Sequence, residues 1–220
     1  MTPCQLQIKE MEGLGMNPSN EQASTRQQRS LKTRAKLLGA ARDVFIEHGF
    51  QKATITQIIK KAETGYGTAY LHFTGKDEIL IHLMDEVMNQ FYAIAQLPFH
   101  PQTKEEACAM IEKQAGLFLE MANQERAMMQ VIEEGIRLSD DVNQKWKEIR
   151  ERFIMHISQD IVYSQQNDLA RKDVDHILIA RGWFFANEMY LWDIVRNEYN
   201  HSVGEIARNL TAMYTGGLYE

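Results

Sequence analysis

Apolar residues recur at steps of three and four along most of the chain, the spacing of amphipathic helices. No strand-like alternation and no internal repeat interrupts it. From Leu31 to His48, Leu31, Ala35, Leu38, Ala41, Val44 and Phe45 share one helical face, and Gly49 stops the helix. Thr54 or Thr56 can cap a short second helix, TQIIKKA, with Ile58 and Ile59 turned inward. A third short helix covers about 66–72. Gly75 then breaks the chain, and Lys76 opens a long fourth helix. Its stripe of Ile79, Leu80, Leu83, Val87, Phe91 and Ile94 runs until PFHP at 98–101. Thr103 starts a fifth segment reaching about Ala122, with Ala107, Met110, Ile111, Leu117 and Phe118 inward. A sixth lies near 124–138, and Ser139 and Asp140 cap a seventh carrying Trp146, Ile149, Phe153, Ile157 and Ile161.

The eighth segment, 174–196, departs from a single stripe. Ile177, Leu178, Ile179, Trp183, Phe184, Phe185, Met189, Tyr190, Leu191, Trp192 and Val195 cannot share one face. A helix apolar nearly all round is buried on two sides. One side can be the chain's own core and the other a second copy of itself. The last helix, about 202–218, sets Val203, Ile206, Ala207, Leu210, Met213 and Tyr214 on one flank. The pattern predicts an all-α fold of about nine helices, three short ones ahead of six longer. Residues 1–28 are polar, with Gly13, Gly15 and Pro18, and read as a mobile arm. A head over 29–75 and a body over 76–220 follow.

Charge sharpens that division. The net charge of −6 hides an uneven split: residues 26–82 hold ten Lys/Arg against five Asp/Glu, whereas 83–220 hold thirteen against twenty-two. A basic head on an acidic body points to a polyanion at one end only. Two cysteines, Cys4 and Cys108, make neither a disulfide framework nor a zinc site, which suits a reducing cytoplasm. No apolar run approaches a membrane span and the start lacks a signal-peptide pattern, so no membrane partner is expected.

Residues 62–80, AETGYGTAYLHFTGKDEIL, concentrate the candidate chemistry. Two short helices joined by a tight turn behind a longer one fit a helix-turn-helix, whose second short helix enters the DNA major groove. Gly65 and Gly67 remove side chains that would obstruct a close approach, at a cost in helix stability. Thr68 can bond a base edge or a phosphate, Tyr70 and His72 can reach phosphate oxygens, and Lys76 sets a cation beside the backbone. Phe73 packs inward. An awkward loop held by tertiary packing is the alternative.

The segment resembles the DNA-binding signature of TetR-family transcriptional regulators, through Ala62, Gly67, Thr68, Tyr70, His72, Phe73, Lys76 and Asp77. Upstream, TRAKLLGAARDVFIEHGFQKATITQIIKKA resembles the family's first two helices, and TAMYTGGL its closing one. The resemblance implies DNA contacts from Arg34, Thr54, Thr56, Gly65, Tyr66, Gly67, Thr68, Tyr70, Leu71, His72 and Lys76. It also implies a homodimer packed through the last two helices, a roughly palindromic double-stranded operator, and a small-molecule effector that changes the spacing of the two heads. Repression is the expected outcome and helix four the natural lever. Three departures stand out. Glu63 occupies a turn position where glycine is usual, so either Glu63 takes an unfavourable conformation or the turn shifts toward Gly65. Gly65 replaces a capping serine, a role Thr64 can take. Tyr66 and Leu71 stand at positions often basic in relatives.

For the effector, Phe91, Phe118, Met121, Met128, Trp146, Phe153, Trp183 and Phe184 are equally an adaptable apolar cavity or an ordinary helical core. Asn187 and Glu188, polar in an apolar helix, either orient a ligand or satisfy the dimer contact. A hydrophobic or amphipathic effector fits this lining. Phe185, Met189, Trp192, Leu210, Met213 and Tyr214 are the expected dimer interface. An enzyme is the rival class, but the two Glu-x-x-His pairs of a helical di-iron centre, a phosphate loop and G-x-S-x-G do not occur. No catalysis, no cofactor and no metal are expected. A helical protein-interaction module is the other rival.

Overall fold

The computed structural model describes residues 18–219, with side chains from Arg26 onward. Among the described residues the chain forms α1 (Pro18–Lys52), α2 (Ile55–Lys61), α3 (Tyr66–Tyr70), α4 (Lys76–Ala95) and α5 (Lys104–Gln124). Then come α6 (Arg126–Leu138), α7 (Asp140–Gln166), α8 (His176–Arg196) and α9 (Val203–Leu218).

Local chemistry sets most boundaries. Thr54, rather than Thr56, caps α2: its hydroxyl accepts from Gln57 N, and Gln57 Oε1 accepts in return from Thr54 N at 2.8 Å. The same reciprocal box joins Ser202 and Glu205 at α9. Thr103, Ser139 and Asp175 cap α5, α7 and α8 through their side-chain oxygens. Each cap satisfies donors that the first helical turn leaves without partners. Gly49, at φ 74°, breaks the helical path of α1 three residues before its end. A side chain there would meet both a left-handed strain and Glu134 Oε2, 2.8 Å from where its Cβ would lie.

α1 packs chiefly on α6, α5 on α9 and α7 on α8. One contiguous apolar cluster runs from Leu37, Phe45 and Phe73 in the head to Leu119, Phe153 and Leu191 in the body. The head is therefore no independently suspended unit. The helical stripes were placed correctly in the interior of the fold and less so at its edges. Leu31, 61% exposed, and Ala35 lie outside the core, which starts at Leu37, and Leu117 is also exposed. The ends and flanks of these helices have no neighbour to bury them. From Pro18 on, the expected arm is the start of α1; residues 1–17 lie outside the described residues.

Gly135 marks the tightest helix approach. A Cβ on it would run into Leu80 Cδ2 and come within 3.3 Å of Val142 Cγ1, both fully buried. Gly135→Ala is therefore expected to destabilise the fold by about 1–3 kcal/mol through overpacking of α4, α6 and α7. A lowered urea midpoint would register it, and an unchanged midpoint would mean the helices separate freely.

Candidate nucleic-acid interface and ligand cavity

The turn between α2 and α3 is made by Glu63 itself, held at φ 50°, while Gly65 sits at an ordinary φ of −77° as the N-cap of α3. No side chain caps α3: Thr64 Oγ1 is buried without a hydrogen-bond partner among the described residues. The expected Thr64 cap does not form. Ala69 and Phe73 anchor α3 to the core. That leaves Tyr66 (54%), Tyr70 (51%) and Leu71 (85%) exposed, with Thr68 beside them, and His72 half-buried against Phe73. Added Cβ atoms on Gly65 and Gly67 would meet nothing closer than 3.8 Å. Packing within the protein does not require either glycine.

Other expected DNA contacts are occupied. The Lys76 ammonium donates to the carbonyls of Phe50, Gln51 and Ala53 at 2.8–3.2 Å and lies 4.6 Å from the centre of the Phe50 ring. It closes the end of α1 instead of standing free for phosphate. Arg34 reaches His82 Nε2 at 2.8 Å and covers the Phe73 ring. Thr54 is engaged in its capping box, and Thr56 remains exposed. Arg26, Arg29, Lys32, Lys52 and Lys60, outside the expected contacts, are exposed and make no ion pair among the described residues. Their signal was spacing: Arg26, Arg29 and Lys32 fall three apart on α1.

Two carboxylates of the body hold the head. Glu134 Oε2 accepts from Phe50 N at 2.7 Å, and Glu125 pairs with Arg42 at 2.7 Å while accepting from Gln90 of α4 at 3.3 Å.

In the body, Phe118, Phe153, Trp183, Phe184 and Asn187 line one cavity of ≈ 70 Å³, with Gln114, His156, Ile157 and Asp160. A smaller space of ≈ 40 Å³ shares Trp183 and Asp160 in its wall. Rings connect this cavity to α4: Phe118 meets Phe91 at 5.2 Å, and Phe153 stacks on Tyr92 at 4.6 Å and on Phe184 at 5.7 Å. The remaining expected ligand contacts fall elsewhere. Phe91 stands behind Phe118, Met128 is buried, and Met121 packs against the core without lining the cavity. Glu188 accepts from Trp146 Nε1 at 2.7 Å, from Arg150 Nε at 2.8 Å and from Trp192 Nε1 at 3.4 Å. It is a satisfied internal acid with Trp146 as a partner, and neither lines the cavity. Asp160 was missed. The available signal was an acid on the same α7 face as Phe153, Ile157 and Ile161.

α8 is apolar on two sides, but only one of them is buried within the chain. Phe184, Leu191, Ile194 and Val195 face the core, while Leu178, Phe185 and Met189 form an exposed apolar stripe beside Met213 of α9. Trp192, Tyr214 and Leu210 depart from the expected interface. Trp192 packs on Trp146 at 5.3 Å, Tyr214 stacks on Trp183 at 4.3 Å, and Leu210 is 6% exposed.

Residues 37–83 match the bacterial regulatory proteins of the tetR family, the stretch that forms the three-helix head. The chain is 39% identical over 56 residues to the "Fatty acid metabolism regulator protein" of Bacillus subtilis, covering 26% of this chain and 29% of that protein. It is 29% identical over 105 residues to the "HTH-type transcriptional regulator UidR" of Escherichia coli K12, covering 48% and 53%. The matched stretches thus span about half the length of these relatives or less. Over nearly the whole fold it resembles "Salmonella enterica GusR" (TM-score 0.68, 21% identity, 84% of this chain and 95% of that one). It also resembles FadR from Bacillus subtilis in complex with stearoyl-CoA (TM-score 0.65, 20% identity, 83% and 98%). The head thus matches the tetR family over residues 37–83, and the body shares the all-helical fold of these solved structures.

The bonds of Lys76 generate a direct expectation. Lys76→Met leaves three carbonyls at the end of α1 without their donor and should lower stability by about 1–3 kcal/mol in urea unfolding. Wild-type stability in this variant would place the ammonium in solvent.

Proposed function

We propose that the protein is a cytoplasmic, homodimeric transcriptional regulator. It binds a roughly palindromic double-stranded DNA operator through its head and is released by a small hydrophobic or amphipathic effector in its body. Repression follows from simple occupancy of the operator by the head. The observation that carries this reading is α3: Tyr66, Thr68, Tyr70 and Leu71 project from a helix whose two glycines no internal packing demands. Small, aromatic and apolar groups there suit phosphate bonding and contact with thymine methyl groups more than bidentate reading of guanine. Exposed Arg26, Arg29, Lys32, Lys52 and Lys60 supply the sequence-independent attraction to phosphate.

The exposed stripe of Leu178, Phe185 and Met189, with Met213, supports pairing of two copies through α8 and α9. A ligand can release DNA only if it binds the released form more tightly than the DNA-bound form. The rings of Phe118 and Phe153, touching Phe91 and Tyr92 of α4, support that coupling, because filling the cavity displaces groups continuous with the helix that carries Lys76. The relatives are regulators, and nothing in this reading requires catalysis, a cofactor or a metal.

The test is binding to duplexes selected from a random pool. Affinity should fall steeply as salt rises, and Tyr70→Ala should cost about 1–3 kcal/mol without changing the oligomer. Absence of salt-dependent duplex binding would overturn the proposal. For the pairing of copies, Met189→Glu should shift sedimentation toward monomer; a dimer that persists would exclude the α8 stripe.

A further inference from the structure

Asp160 is the odd group of the cavity. It stands half-buried among Phe118, Phe153 and Trp183, and no donor or cation meets its carboxylate among the described residues. With no counter-charge, burial pushes that carboxyl up to about 7. Across the same cavity, Asn187 is 6% exposed and its Oδ1 is unpartnered. Its orientation is not free to reverse, because Nδ2 donates to the Trp183 carbonyl at 2.9 Å, and a carbonyl can only accept. Two acceptors thus line one aromatic cavity, and among the described residues neither receives a hydrogen bond, although Gln114 and His156 line the same space. An unpaired buried acceptor such as Asn187 Oδ1 destabilises a fold, and beside it Asp160 offers a carboxylate with no counter-charge, so the two together suit a ligand that brings donors.

Resting on the reading of the body as an effector domain, we propose that this cavity takes a compact aromatic cation. The ligand is a protonated amine or amidine on a single ring, whose N–H groups donate to Asp160 and to Asn187 Oδ1. The walls suit the ring and the charge together, since Phe118, Phe153, Phe184 and Trp183 offer π faces and edges to a desolvated cation. Size limits the ligand to something small. The ≈ 70 Å³ space is below the roughly 150 Å³ known to take benzene. A ring therefore enters only with side-chain movement: turning Trp183 aside joins this space to the ≈ 40 Å³ one across the shared wall and frees the volume its own indole fills. A long acyl chain exceeds both. The other titratable groups near Asp160 are His156 on α7 and Tyr214 and Tyr219 at the C-terminal end; they supply no fixed positive charge to satisfy it in advance.

The test is calorimetric titration of the full-length protein with phenethylamine and benzamidine, against phenethyl alcohol and phenylacetate as neutral and anionic partners of similar size. The cations should bind at least about tenfold more tightly than either. Asp160→Asn should remove that preference while leaving the circular-dichroism spectrum and the oligomer unchanged, and Asn187→Leu should weaken it. Equal or tighter binding of the neutral or anionic probe would overturn the proposal, as would no cation binding by millimolar concentration or full preference in Asp160→Asn. DNA release is read separately on a selected duplex. Cation binding without release would remove the effector reading and keep the ligand class; release by the anion or the alcohol alone would do the reverse.

Discussion

The end of α1 is the junction on which the geometry of this molecule depends. Gly49 turns the chain out of the helix, Glu134 of α6 takes the Phe50 amide, and Lys76 of α4 takes three carbonyls around the same bend. A helix end buried without partners would lose several hydrogen bonds at once. Here one acid and one base from two different helices supply them. The head is thereby fixed to both α4 and α6, and Arg42 with Glu125 repeats the linkage further along the seam. Any displacement of the head relative to the body must work against these charged bonds.

The same economy of polar groups runs through the body. Most buried polar atoms are matched: Glu188 holds Arg150 and two indoles, and Ser164 meets Tyr219. Against that background the Asp160 carboxylate and Asn187 Oδ1 stand out as acceptors left open in one cavity. The cavity's rings touch α4, and α4 begins at Lys76, so the open acceptors and the α1 bend are joined by one helix. In the proposed effector reading, that continuity is what a ligand would act upon. It requires no wire of special residues, only a packed column that resists partial displacement.

Elements whose signals are local were readable in advance. Helix order, the caps at Thr103 and Ser139 and the break at Gly49 follow from spacing and backbone chemistry that each segment carries in itself. Side-chain destinations were read less well. Lys76 looked like a phosphate contact and is a helix closure; Trp192 looked like an interface and faces Glu188. Glu188 and Asn187 read alike as neighbouring polar residues on α8, yet one is satisfied three times and the other keeps an oxygen open. The two partners that set Glu188 apart, Trp146 and Arg150, lie 42 and 38 residues away, where periodicity carries no information.

The amino-acid sequence by itself determined the all-helical fold, the three-helix head with its exposed glycine-bearing α3, and the two-sided character of α8. These rest on 3.6-residue spacing, capping residues and the conformational range of glycine, all of which act within a few residues. Only the tertiary structure decided which charges remain exposed, which aromatics enclose a cavity and which polar atoms stay unpaired. Each of those depends on what a distant helix brings to the same point.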